Sequence, residues 1–345
     1  MRSVTHADSV HTSAGYTMLT GVAHPKANAK TAADIQPGAA DHPHLGSLLA
    51  RLRPPASGPA FVSLPEVIKD AGVNEFPGQG AGFLGRAFDP FRIEADPDRG
   101  GFRLPDVEPQ PDVPDARLEG RRRLLNHLDR PGDTPDRDAF YERAYDLIRS
   151  PDVHRALKLD REPARSREAY GPHLFAQGCL LGRRLLEAGV PLVTVYWAYD
   201  GPDDSPVWDT HENNFRHLRE RLLPPTDRAA AVLIEDLSAR GLLDDTLVVV
   251  MGEFGRSPRV NSKAGRDHWP QAQSILLAGA GVKVGGAYGS SDRSGGHPAE
   301  APVNPADLTA TFLHLLGVPD DAEVRDRAGR PYRACHGSPV RALLG

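Results

Sequence analysis

The sequence predicts an α/β protein with a mostly parallel central sheet covered by helices on both faces. Two observations carry that expectation. First, a helix, a glycine and a strand follow one another twice: His173 to Ala188, Gly189 and Pro191 to Trp197, then Thr226 to Arg240, Gly241 and Thr246 to Met251. Glycine suits the left-handed turn that ends a helix, and the Val-rich stretches suit a pleated strand. Second, Thr-Leu-Val-Val-Val-Met at 246–251 is apolar on both faces, the pattern of a central strand in a parallel sheet. Ligands of such sheets collect beyond the carboxyl ends of the strands.

In chain order, residues 1–24 are dense in His, Ser and Thr and close on Met-Leu-Thr-Gly. Residues 25–58 are rich in Ala, Pro and Gly with weak periodicity and read as loop. Ala60 to Leu64 is a candidate strand, and Gly, Pro and charge dominate again from Asn74 to Pro114. The stretch 25–115 therefore reads as an irregular insertion in a single domain spanning 1–345. Leu118, Leu124, Leu125 and Leu128 fall near helical spacing, and Phe140 to Ile148 continues the helical pattern. Asn213 to Leu222 reads as a further helix, Ser274 to Ala278 as a strand, and Pro305 to Leu316 as a late helix with proline near its start.

Composition narrows the function. Hydrophobic residues at 39% and charged residues at 25% fit a chain that buries a core rather than a disordered one. A net charge of −5, with acids and bases mixed along the chain, gives no footing for nucleic acid or an anionic membrane. No apolar run approaches the ~18 residues of a transmembrane helix. The start lacks the charged, apolar and small-residue pattern of a secretory signal. Cys179 lies in an apolar helical run and reads as a small hydrophobe; with Cys335 the only other cysteine, disulfide chemistry does not fix the compartment.

Four polar segments could carry chemistry. In Trp208-Asp-Thr-His, Asp209 and His211 stand two apart in a loop and can turn toward one cation, although Asp209 or Thr210 could equally cap the next helix. Glu253, in Gly-Glu-Phe-Gly-Arg directly after the 246–251 strand, occupies a ligand position; the plain alternative is a surface pair with Arg256. Asp267 and His268 sit side by side in Gly-Arg-Asp-His-Trp-Pro, with Arg266 available to an anionic oxygen, or else form a solvated loop. The N-terminal segment holds His6, Asp8, His11, Thr12, Ser13 and Thr17, or is simply a frayed end. The metal candidates are thus Asp209, His211, Glu253, Asp267 and His268. Asp, Glu and His without cysteine suit one or two divalent ions: Zn, Mn, Mg or Ca.

Gly241 to Pro258 followed by Gly-Arg-Asp-His-Trp-Pro, with Arg2-Ser-Val-Thr-His, Leu19-Thr-Gly, Glu187-Ala-Gly-Val, Trp208-Asp-Thr-His and Gly329-Arg-Pro, resembles an uncharacterised bacterial family placed in the alkaline phosphatase/sulfatase superfamily. The resemblance implies an alkaline-phosphatase-like fold and a metal-dependent hydrolase of sulfate or phosphate esters, acting on a small molecule or glycan. It places Arg256 and Arg266 at the charge of the transferred group. Sulfatases carry an Asp-His or Asp-Asn pair where this chain has Glu253-Phe254, and a formylglycine precursor where it has His11. Phe254 cannot be a ligand; His11 is left as ligand, base or nucleophile. The family pattern also puts an export signal and a first strand ahead of this chain's Met1, so full-length members are expected outside the cytoplasm, and this chain is expected to lack that strand. The alternative is an inactive relative that binds an anionic glycan or a partner protein.

Overall fold

The computed structural model describes the chain except for residues 28, 30, 71–73, 98–101, 103, 105, 106, 108–112, 129–134, 200, 203–206 and 284. Parts of the expected 25–115 insertion therefore lie outside the described residues.

In chain order the main elements are α1 (His11–Thr20), α2 (Leu45–Leu52), β1 (Phe61–Leu64), β2 (Phe91–Arg92), α3 (Asp115–Leu128), α4 (Pro135–Ile148), α5 (Pro151–Leu157), α6 (Ala164–Tyr170), α7 (Leu174–Glu187), β3 (Leu192–Val195), α8 (Asn214–His217), α9 (Leu223–Ala239), β4 (Val248–Val250), β5 (Gly255–Val260), β6 (Arg266–Trp269), β7 (Leu276–Ala278) and α10 (Pro305–Leu315). The protein is α/β, with a three-stranded parallel sheet ordered β2-β1-β3. β1 is the middle strand and all four of its residues are buried.

α7 covers this sheet because its sequence leaves room for it. A Cβ on Gly178 would lie 3.0 Å from Val195 Cγ1 and 3.3 Å from Leu64 Cδ1, and one on Gly182 would lie 3.5 Å from Val193 Cγ1. Two glycines one helical turn apart therefore let the helix settle directly on β3. His173 caps α7 by accepting the Phe175 N–H, and Gly189 at φ 86° follows it, as the sequence predicts. α8 and α9 join through a one-turn π segment, Leu218–Leu222, ahead of Pro224 and Pro225.

The structure corrects three expectations. Residues 246–251 do not supply a central parallel strand: Val248–Val250 pairs antiparallel with Leu276–Ala278. The run is apolar, but Met251 and Leu276 are exposed, so the pattern reports residue type rather than coverage by helices. Residues 25–58 are not all loop, since α2 forms there with His44 capping it at Gly46 N–H. The N-terminal segment is not a frayed end, because nine of the ten residues of α1 are buried. That segment is tied in by backbone hydrogen bonds: Gln273 N–H to the Val4 carbonyl (2.9 Å), Thr5 N–H to Val303 (2.9 Å) and His6 N–H to Pro270 (3.0 Å). Val4, Met18, Ile275, Val303, Leu308 and Phe312 form the core that fixes it.

Candidate metal centre

Three backbone facts bring the polar segments together. The 270–275 ties above place His11, the first residue of α1, beside the loops after β4 and within β6. The 209–214 loop clasps the turn before β6: Arg266 N–H donates to the Thr210 carbonyl (3.1 Å), and Asn214 N–H to Ala264 (3.0 Å). Gly265 permits this clasp, since a Cβ there would lie 1.7 Å from the His211 carbonyl oxygen.

The cluster centres on Asp209 Oδ1. Arg256 Nη2 donates to it at 2.6 Å, and the Nε2 atoms of His268, His211 and His11 stand 3.1, 3.1 and 3.3 Å away. His211 Nε2 and His268 Nε2 are only 2.8 Å apart. One ligand atom each from His11, Asp209 and His268 lies within 4.8 Å of the others.

The Nδ1 atoms face outward, each to a partner. His268 Nδ1 donates to the Ser9 carbonyl at 2.7 Å, His11 Nδ1 meets Glu253 Oε1 at 2.6 Å, and His211 Nδ1 meets Asp267 Oδ1 at 3.2 Å. A carbonyl can only accept, so the proton of His268 belongs on Nδ1 and a lone pair on Nε2. Outer acceptors on one ring nitrogen with the other turned to a common point are the pattern of metal-binding imidazoles. The inward lone pair of His268 faces the Asp209 carboxylate, an arrangement that a cation between them would satisfy. The residues present therefore fit a divalent ion, and the group that could hold one is His11, Asp209 and His268, with His211 adjoining.

Electrostatics follow from this packing. Burial alone would push the His11 imidazole down, but Asp209 and Glu253 outweigh it and raise it to about 9. Burial opposes ionisation of Asp209, yet His11 and Arg256 hold its carboxyl below the usual range. Glu253 is likewise held low by His11 against burial. Hydrogen bonds from Asn261 and His211 keep Asp267 low at the surface.

The structure thus gathers Asp209, His211, His268, His11 and Arg256 at one point, with Glu253 and Asp267 behind two of the imidazoles. Arg256 is anchored by the carbonyls of Trp208 (3.1 Å) and Arg266 (3.3 Å). Arg266 stands elsewhere: its guanidinium lies over Phe215 at 5.2 Å, and its Nε has no hydrogen-bond partner among the described residues. Thr12 and Ser13 are fully buried. His6 serves as a clamp, donating from Nε2 to the Glu253 carbonyl at 2.6 Å while burial lowers its pKa. Asn261, which holds both the His211 carbonyl (3.0 Å) and Asp267 (3.1 Å), carries no signal in the sequence that marks it.

Fold and cluster define an α/β protein with a histidine- and carboxylate-lined candidate metal centre. The family described as "Protein of unknown function (DUF1501)" matches residues 1–344, and the chain belongs to it. No curated protein and no solved structure matches the chain. Among the described residues, no helix is long and apolar enough to cross a membrane.

Proposed function

We propose that this chain is a metal-dependent hydrolase of sulfate or phosphate esters, related to the alkaline phosphatase/sulfatase superfamily, with His11, Asp209, His211 and His268 holding the ion. The observation that carries the reading is the convergence of three imidazole Nε2 atoms on Asp209 Oδ1, each ring held from behind at Nδ1. Three nitrogen donors and one carboxylate favour zinc or manganese over calcium or magnesium. Glu253 and Asp267 act as orienting partners in this reading, rather than as ligands.

A divalent ion in this set would supply Lewis-acid stabilisation of the charge that develops on the transferred group. The chain's own part is electrostatic. Arg256, fixed by two carbonyls beside Asp209, presents its remaining N–H donors to an anionic oxygen. Glu253 keeps the His11 proton on Nδ1. With Ser13 Oγ directed to the Val10 carbonyl and Thr12 and Ser13 both buried, the proposed nucleophile is water. Small-molecule or glycan esters are the substrate class.

Metal analysis of the protein, reloaded with zinc or manganese and desalted, tests the reading, together with turnover of aryl sulfates and aryl phosphates. The expected result is stoichiometric metal, lost in Asp209→Asn, and ester cleavage that a chelator stops. A parent protein that retains no metal refutes the proposal. Full metal without turnover of any ester moves the chain to the alternative of a non-catalytic binder of anionic ligands.

A further inference from the structure

We infer that Phe254 is a positioning residue, the floor on which the imidazoles of His11 and His268 and the guanidinium of Arg256 are held in register. The metal part of this inference rests on the proposed function above; the positioning part does not.

Phe254 is buried at the end of the turn that follows β4. Its ring centroid lies 4.5 Å from that of His268, tilted 35°, and 5.0 Å from that of His11, tilted 36°. The Arg256 guanidinium carbon sits 5.9 Å from the same ring, within cation–π range. The two imidazoles meet each other edge-on at 4.3 Å. One ring thus touches three of the groups that converge on Asp209.

An imidazole needs such support. Its χ2 torsion is broad, so one hydrogen bond at Nδ1 leaves the ring free to swing its Nε2 away. Two restraints on different sides fix it. For His11 both come from adjacent residues: Glu253 takes Nδ1, and Phe254 takes the ring face. For His268 the Ser9 carbonyl takes Nδ1, and again Phe254 takes the face. The floor is itself immobilised from below. A Cβ on Gly255 would lie 2.1 Å from the Ala272 carbonyl oxygen, so the backbone after Phe254 is seated hard against the 270–273 segment. The His6 Nε2–H holds the Glu253 carbonyl just before it. An apolar residue amid ligand candidates, between Glu253 and Arg256, is thereby explained by what it supports.

The test compares the parent with Phe254→Leu, which keeps an apolar side chain but removes the ring face, and Phe254→Tyr, which keeps the ring. Phe254→Met fills the space without a ring if leucine disturbs folding. In metal-free protein, ring-nitrogen NMR reads the tautomer of His268, and the exchange broadening of ring signals reads whether His11 and His268 each keep one orientation. The expected result is single, sharp ring signals in the parent and the tyrosine variant, and exchange-averaged signals in a leucine variant that remains folded. Cobalt(II) titration should then show affinity about tenfold or more weaker for leucine, with altered visible bands, the size typical of losing an outer partner of a metal ligand. Parent-like ring signals and cobalt affinity in a folded leucine variant overturn the inference. A parent that takes up no cobalt, beside a leucine variant whose ring signals average, supports Phe254 as the floor and removes the metal reading alone.

Discussion

Glu253→Gln in the metal-free protein isolates the charge on His11. The imidazole is raised from 6.5 to about 9 by two carboxylates that outweigh its burial. A raised folded-state value means stability that is fully present below pH 6.5 and lost as pH climbs through about 9. At about 1.4 kcal/mol per pKa unit, that contribution is on the order of 3 kcal/mol at its fullest. His11 is only 20% exposed at its side chain, so little of it is screened away. Glu253 is one of the two carboxylates responsible and lies 2.6 Å from Nδ1, so glutamine should remove on the order of half, about 1–2 kcal/mol. Glu253 itself is held below its ordinary range and stays ionised from pH 6 upward, so the pH-dependent part belongs to His11. Urea denaturation at pH 6 and pH 10, with chelator present, gives both numbers. The parent should lose stability between them and the variant should lose clearly less. An identical pH dependence in both proteins refutes the reasoning.

Three further outcomes follow from the geometry. Arg183, 1% exposed and bridging Glu162 (2.6 Å), Glu187 (2.6 Å) and Asp236 (2.9 Å), ties α7 to α9; Arg183→Met should cost about 3 kcal/mol in urea unfolding, because it removes the buried partner of the buried Glu162, which keeps Arg184 close by, and a loss below about 1 kcal/mol contradicts that. Asp267→Asn should weaken zinc about tenfold by removing the charged partner of His211 Nδ1, measured by competition with a chromogenic chelator; unchanged affinity removes Asp267 from the site. Zinc binding at pH 7 should release close to one proton, that of His11, and less above pH 9, read from calorimetry in buffers of different ionisation heat; equal release at pH 7 and pH 10 contradicts it.

The helices were legible where apolar spacing persisted over several turns. His173 to Ala188 and Pro305 to Leu316 match α7 and α10 to within a residue at each end. α2 was not legible: its eight residues make about two turns, too few to stand out from Ala, Pro and Gly around them. Strand existence was legible at 61–64, 192–195 and 248–250, but pairing was not. Period and residue type say how a strand faces its neighbours, and nothing in Val-Val-Val says that the partner is 276–278 and antiparallel. The site divides the same way. Asp, Glu and His marked the segments that converge: the five candidates lie in one cluster or directly behind it, although 266–269 reads as a loop and forms a strand paired with 255–260. Which nitrogen of each histidine faces inward depends on a carbonyl of Ser9 and two carboxylates supplied from elsewhere in the chain. Spacing along the sequence holds no record of that. The same is true of Arg266, whose sequence neighbours promised an anion site and whose guanidinium instead lies over Phe215.

Charge balance joins these pieces. Asp209, Glu253 and Asp267 bring three negative charges, all held ionised by their neighbours. Arg256 returns one positive charge, and the imidazolium of His11 a second, leaving one negative charge uncompensated. The protein tolerates this by placing Asp267 at the surface, where water screens it, while the two half-buried carboxylates share His11 between them. On the proposed metal reading, a dication in place of the His11 proton would bring the sum to zero and would sit where His211 Nε2 and His268 Nε2 approach to 2.8 Å. The His11 proton and the Arg256 guanidinium would then be the charges that stand in for the ion, and Glu253 and Phe254, neither of them facing Asp209, would act on that exchange through the His11 ring they hold.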